Sequence, residues 1–160
     1  MKSLTDDRTA TAPGMAPTAT PAPGPATAPD PAGENPYVSI ILPCHNEEGH
    51  VVAEVARICA AMDASGYDYE LIAYDDASTD ETLARLQEAA PQFPQLRIVA
   101  FRRNGGSGTV RRIGTQDARG QIVVWTDADM TYPNERIPEL VRYLDDNPDV
   151  DQVVGARTSE

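Results

Sequence analysis

Lysine is nearly missing from this chain of 160 residues: Lys2 is the only one, and 13 basic residues stand against 25 acidic ones, a formal charge of -12. So acidic a balance argues against nucleic acid as the main partner, because a phosphate backbone is met by a basic footprint. The lone lysine lies at the N-terminus, so no phosphate loop of the GxxxxGK[ST] kind is present. Cysteine is scarce too. Cys44 and Cys59 cannot form a disulfide framework, and with only His45 and His50 beside them no His/Cys metal cluster is expected. The two thiols are expected to be reduced and buried or half-buried. No run approaches the roughly 20 apolar residues that cross a membrane. Met1–Asp7 carries acids where a signal peptide needs a basic start and an apolar run. These absences point to a cytoplasmic protein.

Proline is not scarce, but it is uneven. Eight of the 14 prolines fall in residues 1–36, amid Ala, Thr and Gly. Such a stretch has too little apolar surface to offset its ordering entropy, so residues 1–36 read as a disordered tail. Residues 37–160 remain for one compact domain, small for an enzyme with two substrates.

Within that domain strand and helix patterns alternate. Val38–Leu42 is a β-branched run. Val51, Val52, Val55, Ile58, Cys59 and Met62 recur on a 3.6-residue period, predicting a helix over residues 48–64. Tyr69–Tyr74 is a second strand. Ser78 and Glu81 fit a capping box for a helix that stops near Pro91. Leu96–Phe101 is a third strand, residues 105–119 a helix after a glycine-rich turn, and Ile122–Thr126 a fourth strand. Ile137, Leu140, Val141 and Leu144 form a helical stripe, with Pro133 or Pro138 in its first turn. Val150–Val154 reads as a fifth strand. The alternation predicts an α/β fold: a mainly parallel sheet with helices on both faces. In such sheets ligands sit beyond the carboxyl ends of the strands. The polar clusters fall there, at residues 43–47, 75–80, 102–112 and 127–132.

Asp127 and Asp129 are the acids of a D-x-D at the end of the fourth strand. On an extended chain they would face the same side. Two clustered carboxylates call for a cation, and a hard divalent ion such as Mg2+ or Mn2+ held also by diphosphate oxygens would serve. As plain loop acids they would only cap the next helix. Asp75 and Asp76 lie in the same layer, where either could accept from a base or a ribose, or start a turn. Arg97, Arg102, Arg103, Arg111 and Arg112 invert the local charge, with no acid between Glu88 and Asp117. The loop from Arg103 to Gly108 opens a helix and suits an anion. One of Arg111 and Arg112 is expected in solvent, because helix neighbours face different ways. Trp125 and Met130 read as packing residues, and His50 as a surface residue.

These residues spell a family. Ser39–Glu48 (SIILPCHNEE), Asp75–Thr82 (DDASTDET), Arg103–Gly114 (RNGGSGTVRRIG) and Gly120–Met130 (GQIVVWTDADM), with Pro133 after them, resemble family-two glycosyltransferases of the GT-A fold. Dolichol-phosphate mannose synthase and bacterial polyprenyl-phosphate glycosyltransferases are the nearest in pattern, over about Tyr37 to Arg157. The resemblance implies a Rossmann-like GT-A domain over residues 37–160. It also implies metal-dependent, inverting transfer of a sugar from a GDP- or UDP-sugar, with polyprenyl phosphate as acceptor. Pro43, His45, Asn46 and Glu47 would line the nucleoside pocket. Asp75 or Asp76 would hold the base, Arg112 would lie near the nucleotide, and Asp127 and Asp129 would hold Mg2+ or Mn2+ on the diphosphate. Arg157 would meet the acceptor phosphate. A lipid acceptor places the protein in the cytoplasm or on the inner face of the membrane, in cell-envelope synthesis. Family members continue into an acceptor half, so this chain reads as the donor-binding front of a longer one. The alternative is a non-catalytic fragment that binds the nucleotide-sugar. A phospho-receiver domain fits poorly, since it expects its acid pair after strand one and a lysine after the last strand.

Overall fold

The computed structural model describes residues 35–156. Residues 1–34 of the tail expected at residues 1–36 and the candidate Arg157 lie outside the described residues.

The first strand, β1 (Val38–Cys44), is buried on both faces and apolar but for Ser39, as suits a central strand of a parallel sheet. It is followed by α1 (Val51–Ser65), β2 (Tyr69–Asp75), α2 (Thr82–Ala89), β3 (Leu96–Ala100), α3 (Gly106–Asp117), β4 (Ile122–Trp125) and α4 (Ile137–Asp146). The sheet order is β3-β2-β1-β4, and every pairing is parallel. One face carries Val38, Ile40, Leu42, Leu71 and Ala73 against α1, Leu86 of α2, and Ile137 and Val141 of α4. On the other face Ile41, Ile72 and Tyr74 pack against Val110 of α3. Helices therefore cover both faces, as the alternation predicted.

A close approach holds α3 to the sheet. A Cβ on Gly114 would stand 2.6 Å from Ile41 Cγ2, so only glycine lets the helix lie this near. The crossover from α3 to β4 is pinned by a buried polar group. Ser39 Oγ donates to Glu70 Oε1 at 2.7 Å and accepts the backbone N–H of Gly120 at 2.8 Å. Glu70 also takes Arg119 through Nη2 at 2.9 Å. Burial would raise the Glu70 carboxyl, but the bonds from Arg119 and Ser39 outweigh it and hold it below its ordinary range.

Three local expectations are corrected. The first helix starts at Val51, not residue 48, because Glu47–His50 forms a turn in which Val51 N–H already reaches Glu47 O at 2.9 Å. The capping box does not form: α2 starts at Thr82, and Asp80 Oδ1 takes its N–H at 3.0 Å. Val150–Val154 is not a strand, and no neighbour takes up its backbone in a ladder among the described residues. Of the two prolines, Pro138 sits in the first turn of α4, while Pro133 precedes a 3-10 turn, Asn134–Arg136.

Candidate functional site

The register brings Cys44, Asp75 and Ala100 level, so β1, β2 and β3 end in one line. Strand β4 stops earlier. Its last residue, Trp125, pairs with Ile41, three positions before Cys44. The loops after all four strands therefore gather at one edge of the sheet, which is where the sequence clusters lie.

Pro43 is the next-to-last residue of β1 and lies past the last β1–β4 pair, so its missing N–H interrupts no ladder on that side. His45 is exposed, and its Nδ1 lies 3.0 Å from the carbonyl oxygen of Asp76 and 3.2 Å from Asn104 Nδ2. Asn46 takes a left-handed backbone, φ 57°, a region where Asn is among the few tolerated side chains. Its Oδ1 accepts the Thr79 N–H at 2.8 Å, and its own N–H donates to Ser78 Oγ at 3.1 Å. The N–H of Glu47 donates to Thr82 Oγ1 at 2.7 Å. Thus the loop after β1 is stitched to the loop after β2, and the Ser78 hydroxyl is spent there rather than on a helix cap. Burial, then the charges of Asp75 and Glu47, push the Cys44 thiol up; both cysteines are free and buried.

The two neighbouring aspartates have different work. Both are buried. Asp76 Oδ1 and Oδ2 accept the N–H groups of Gly105 and Gly106, each at 2.7 Å. The glycine loop thus spends its first amides on the chain's own carboxylate, and that part of the expected anion site is already filled. Asp75 Oδ2 accepts a long bond from Ser78 N–H at 3.4 Å, and Oδ1 has no hydrogen-bond partner among the described residues. A buried carboxylate oxygen without a donor is costly. It is the kind of group that a ligand's N–H or hydroxyl completes.

On the far side of the edge, Arg111 Nη2 reaches Asp127 Oδ1 at 2.9 Å. Arg112 is exposed, so of the adjacent pair it is Arg111 that meets an acid. Because β4 ends at Trp125, Asp127 and Asp129 lie beyond the strand, Asp129 in a bend, and the rule for an extended chain does not apply to them. Asp127 is half-buried. Asp129 is exposed and accepts the N–H and hydroxyl of Thr131 at 3.0 and 2.6 Å. Trp125 is not packing: it is 55% exposed and lays its Nε1–H on Thr115 Oγ1. Met130 is exposed too, with φ 63°.

The carboxylates suit a hard divalent ion in chemistry, but not alone. Among the described residues no group of three or more His, Cys, Asp or Glu side chains converges to hold a metal. The donor set of Asp127 and Asp129 fits an ion whose remaining ligands are phosphate and water oxygens. That Asp127 already draws a guanidinium shows a carboxylate placed to meet positive charge. A cavity of about 530 Å3 lies between α1 and α2 and includes Val52, Ala56, Arg85 and Ala89, but none of the predicted site residues lines it.

Two buried residues near the site escaped sequence reading. Glu54 of α1 and Asn134 are joined by a bond of 2.6 Å from Nδ2 to Oε1. The signal was there for Glu54: it falls on the apolar stripe of its helix, between Val51 and Val55 on the buried side.

The model of glycosyl transferase family 2 matches residues 39–160. The chain belongs to this family. An undecaprenyl-phosphate 4-deoxy-4-formamido-L-arabinose transferase of Edwardsiella ictaluri is 37% identical over 116 residues, 71% of this chain and 35% of that protein. A dolichol-phosphate mannosyltransferase of Pyrococcus furiosus is 33% identical over 120 residues, 75% of this chain and 33% of that one. Among solved structures, the mannosyltransferase PcManGT of Pyrobaculum calidifontis, in complex with GDP-Man and Mn2+, aligns with a TM-score of 0.56 at 27% identity, covering 78% of this chain and 36% of that one. Residues 1–349 of TarS from S. aureus, in complex with UDP-GlcNAc, align with a TM-score of 0.55 at 26% identity, covering 68% and 31%. The fold is that of the GT-A glycosyltransferases, and the family-two chain spans about a third of the length of these relatives.

Proposed function

We propose that this family-two chain forms the donor-binding part of an inverting glycosyltransferase. The donor is a GDP- or UDP-sugar, and the acceptor a polyprenyl phosphate met at the inner face of the membrane. The single observation that carries the reading is the buried Oδ1 of Asp75 at the carboxyl edge of the sheet, which has no hydrogen-bond partner among the described residues. The names of the relatives support the acceptor class.

Asp75, rather than Asp76, receives the N–H of the base. Pro43, His45, Asn46 and Glu47 wall the nucleoside side, with Asn46 fixing the loop through Ser78 and Thr79. Asp127 and Asp129 would hold Mg2+ or Mn2+ together with diphosphate oxygens. When bound, that ion neutralises the diphosphate and stabilises the charge that develops as it leaves. Arg111 beside Asp127 supplies a second positive charge on the phosphate side, and Arg112 remains available from solvent. Arg157, outside the described residues, is assigned to the acceptor phosphate. No helix among the described residues is long and apolar enough to cross a membrane, which is compatible with a peripheral enzyme.

The test is nucleotide binding by titration calorimetry. Asp75→Asn is expected to weaken GDP or UDP binding by about ten-fold, the size of one charge-assisted hydrogen bond. An unchanged affinity in a folded variant sinks the assignment of Asp75. Sugar transfer to polyprenyl phosphate is assayed alongside; tight nucleotide binding with no transfer would confine this chain to the donor step.

A further inference from the structure

A carboxylate buried in a helix face is expensive unless it is paired and hydrogen-bonded. Glu54 is fully buried on the packed side of α1. Both its oxygens take Arg57 Nη2, at 2.9 and 2.8 Å. Its Oε1 also takes Asn134 Nδ2 at 2.6 Å. An ion pair serving packing alone would need nothing more.

This one reaches further, and every extra bond ends on the loop that carries the D-x-D. Asn134, itself 3% exposed, donates from Nδ2 to the carbonyl of Asp127 at 3.2 Å and accepts the Thr126 hydroxyl on Oδ1. Arg57 Nη2 donates to the carbonyl of Tyr132 at 2.6 Å, and Nη1 pairs with Glu135 at 3.3 Å. Thr126 and Asp127 open the loop; Tyr132, Asn134 and Glu135 close it. The closing end is therefore fastened to two residues one turn apart on α1, and the opening end is tied to it through Asn134. At the opening end the bond lands on the backbone of Asp127, whose side chain meets Arg111.

We propose that Glu54 and Asn134 are a positioning pair. They fix the peptide of Asp127 so that its carboxylate, and with it the D-x-D loop, is held ready for the metal-bound diphosphate. The proposal rests on the donor-site reading above for its ligand, but not for its geometry. Supports of this kind under a metal ligand change metal affinity by about ten-fold or more when removed.

Two measurements on the full chain test it. The first is hydrogen exchange in the absence of any ligand, comparing the chain with Asn134→Ala. Faster exchange in residues 126–133 is expected, with residues 69–75 of β2 unchanged. Unchanged exchange in the loop overturns the inference whatever the nucleotide result, and a general rise across the sheet overturns it as well, because the role is then only structural. Should Asn134→Ala fail to fold, Glu54→Gln is used, which keeps the shape and removes the charge. The second is a double-mutant cycle on the gain in GDP or UDP affinity brought by Mn2+. Asn134→Ala should lower that gain about ten-fold in the parent chain and leave the small residue of it unchanged in an Asp127→Asn background. An equal loss in both backgrounds contradicts action through Asp127. A parent chain with no gain from Mn2+ defeats the donor-site reading, and the exchange result then decides this inference by itself.

Discussion

Asp76 spends both carboxylate oxygens on the glycine loop, while Asp75 beside it keeps one buried oxygen without a donor among the described residues. Sequence placed both acids at the edge of the sheet and left their roles open. The division depends on where Gly105 and Gly106 arrive, and that is a tertiary fact. Arg111 and Arg112 follow the same logic. Neighbours on a helix diverge, so one of them had to face solvent, but the phase of α3 against the sheet decided which. Glu70 gives the clearest dependence on pH. Its carboxyl is held below its ordinary value of 4.5 by Arg119 and Ser39 despite burial. A depressed native value means stability that is present above the unfolded value and is lost as the pH falls through the native one. The protein should therefore lose stability from about pH 4.5 downward, and Glu70→Gln should show a shallower acid limb in urea melts between pH 6 and 3. An acid limb of the same slope in Glu70→Gln contradicts this role.

Elements were legible where hydrophobic period and topology agreed, as in β1, α1 and β2, and α3 through the glycine-rich turn before it. Their ends were less so. Ser78 and Glu81 satisfy the pattern of a capping box, yet the Ser78 hydroxyl binds Asn46 N–H, Glu81 N–H binds Glu48, and Asp80 caps the helix. Long-range stitching overrode a local motif. Val150–Val154 has the composition of a strand, but composition does not supply a partner, and Val154 is left 74% exposed. At the turn between α3 and β4 the backbone itself approaches closely. A Cβ on Gly120 would fall 2.6 Å from the backbone nitrogen of Ser39 and 2.8 Å from the carbonyl carbon of Val38, neither of which can swing aside. Gly120→Ala should therefore cost about 1–3 kcal/mol, as overpacking commonly does, and loosen the bonds from Ser39 to the crossover. Chemical denaturation checks it; a variant as stable as the parent would mean that β1 shifts freely at this point.

At the scale of the molecule, the order of the four motifs was enough to read the family and the edge of the sheet where the polar clusters gather. It could not reveal Glu54 and Asn134, which are 80 residues apart and meet only when α1 and the loop after β4 fold together. The charge distribution also takes shape only in the fold: within a chain of net charge -12, Arg111 of α3 meets Asp127, one acid of the D-x-D. Titration calorimetry with GDP and with UDP, with and without Mn2+, on the parent chain and on Asp127→Ala/Asp129→Ala, tests the central claim most directly. The account predicts that Mn2+ strengthens binding of one nucleotide by about ten-fold or more, and that the double variant loses this gain while keeping its metal-free affinity. A metal-dependent gain that survives removal of both acids would contradict it.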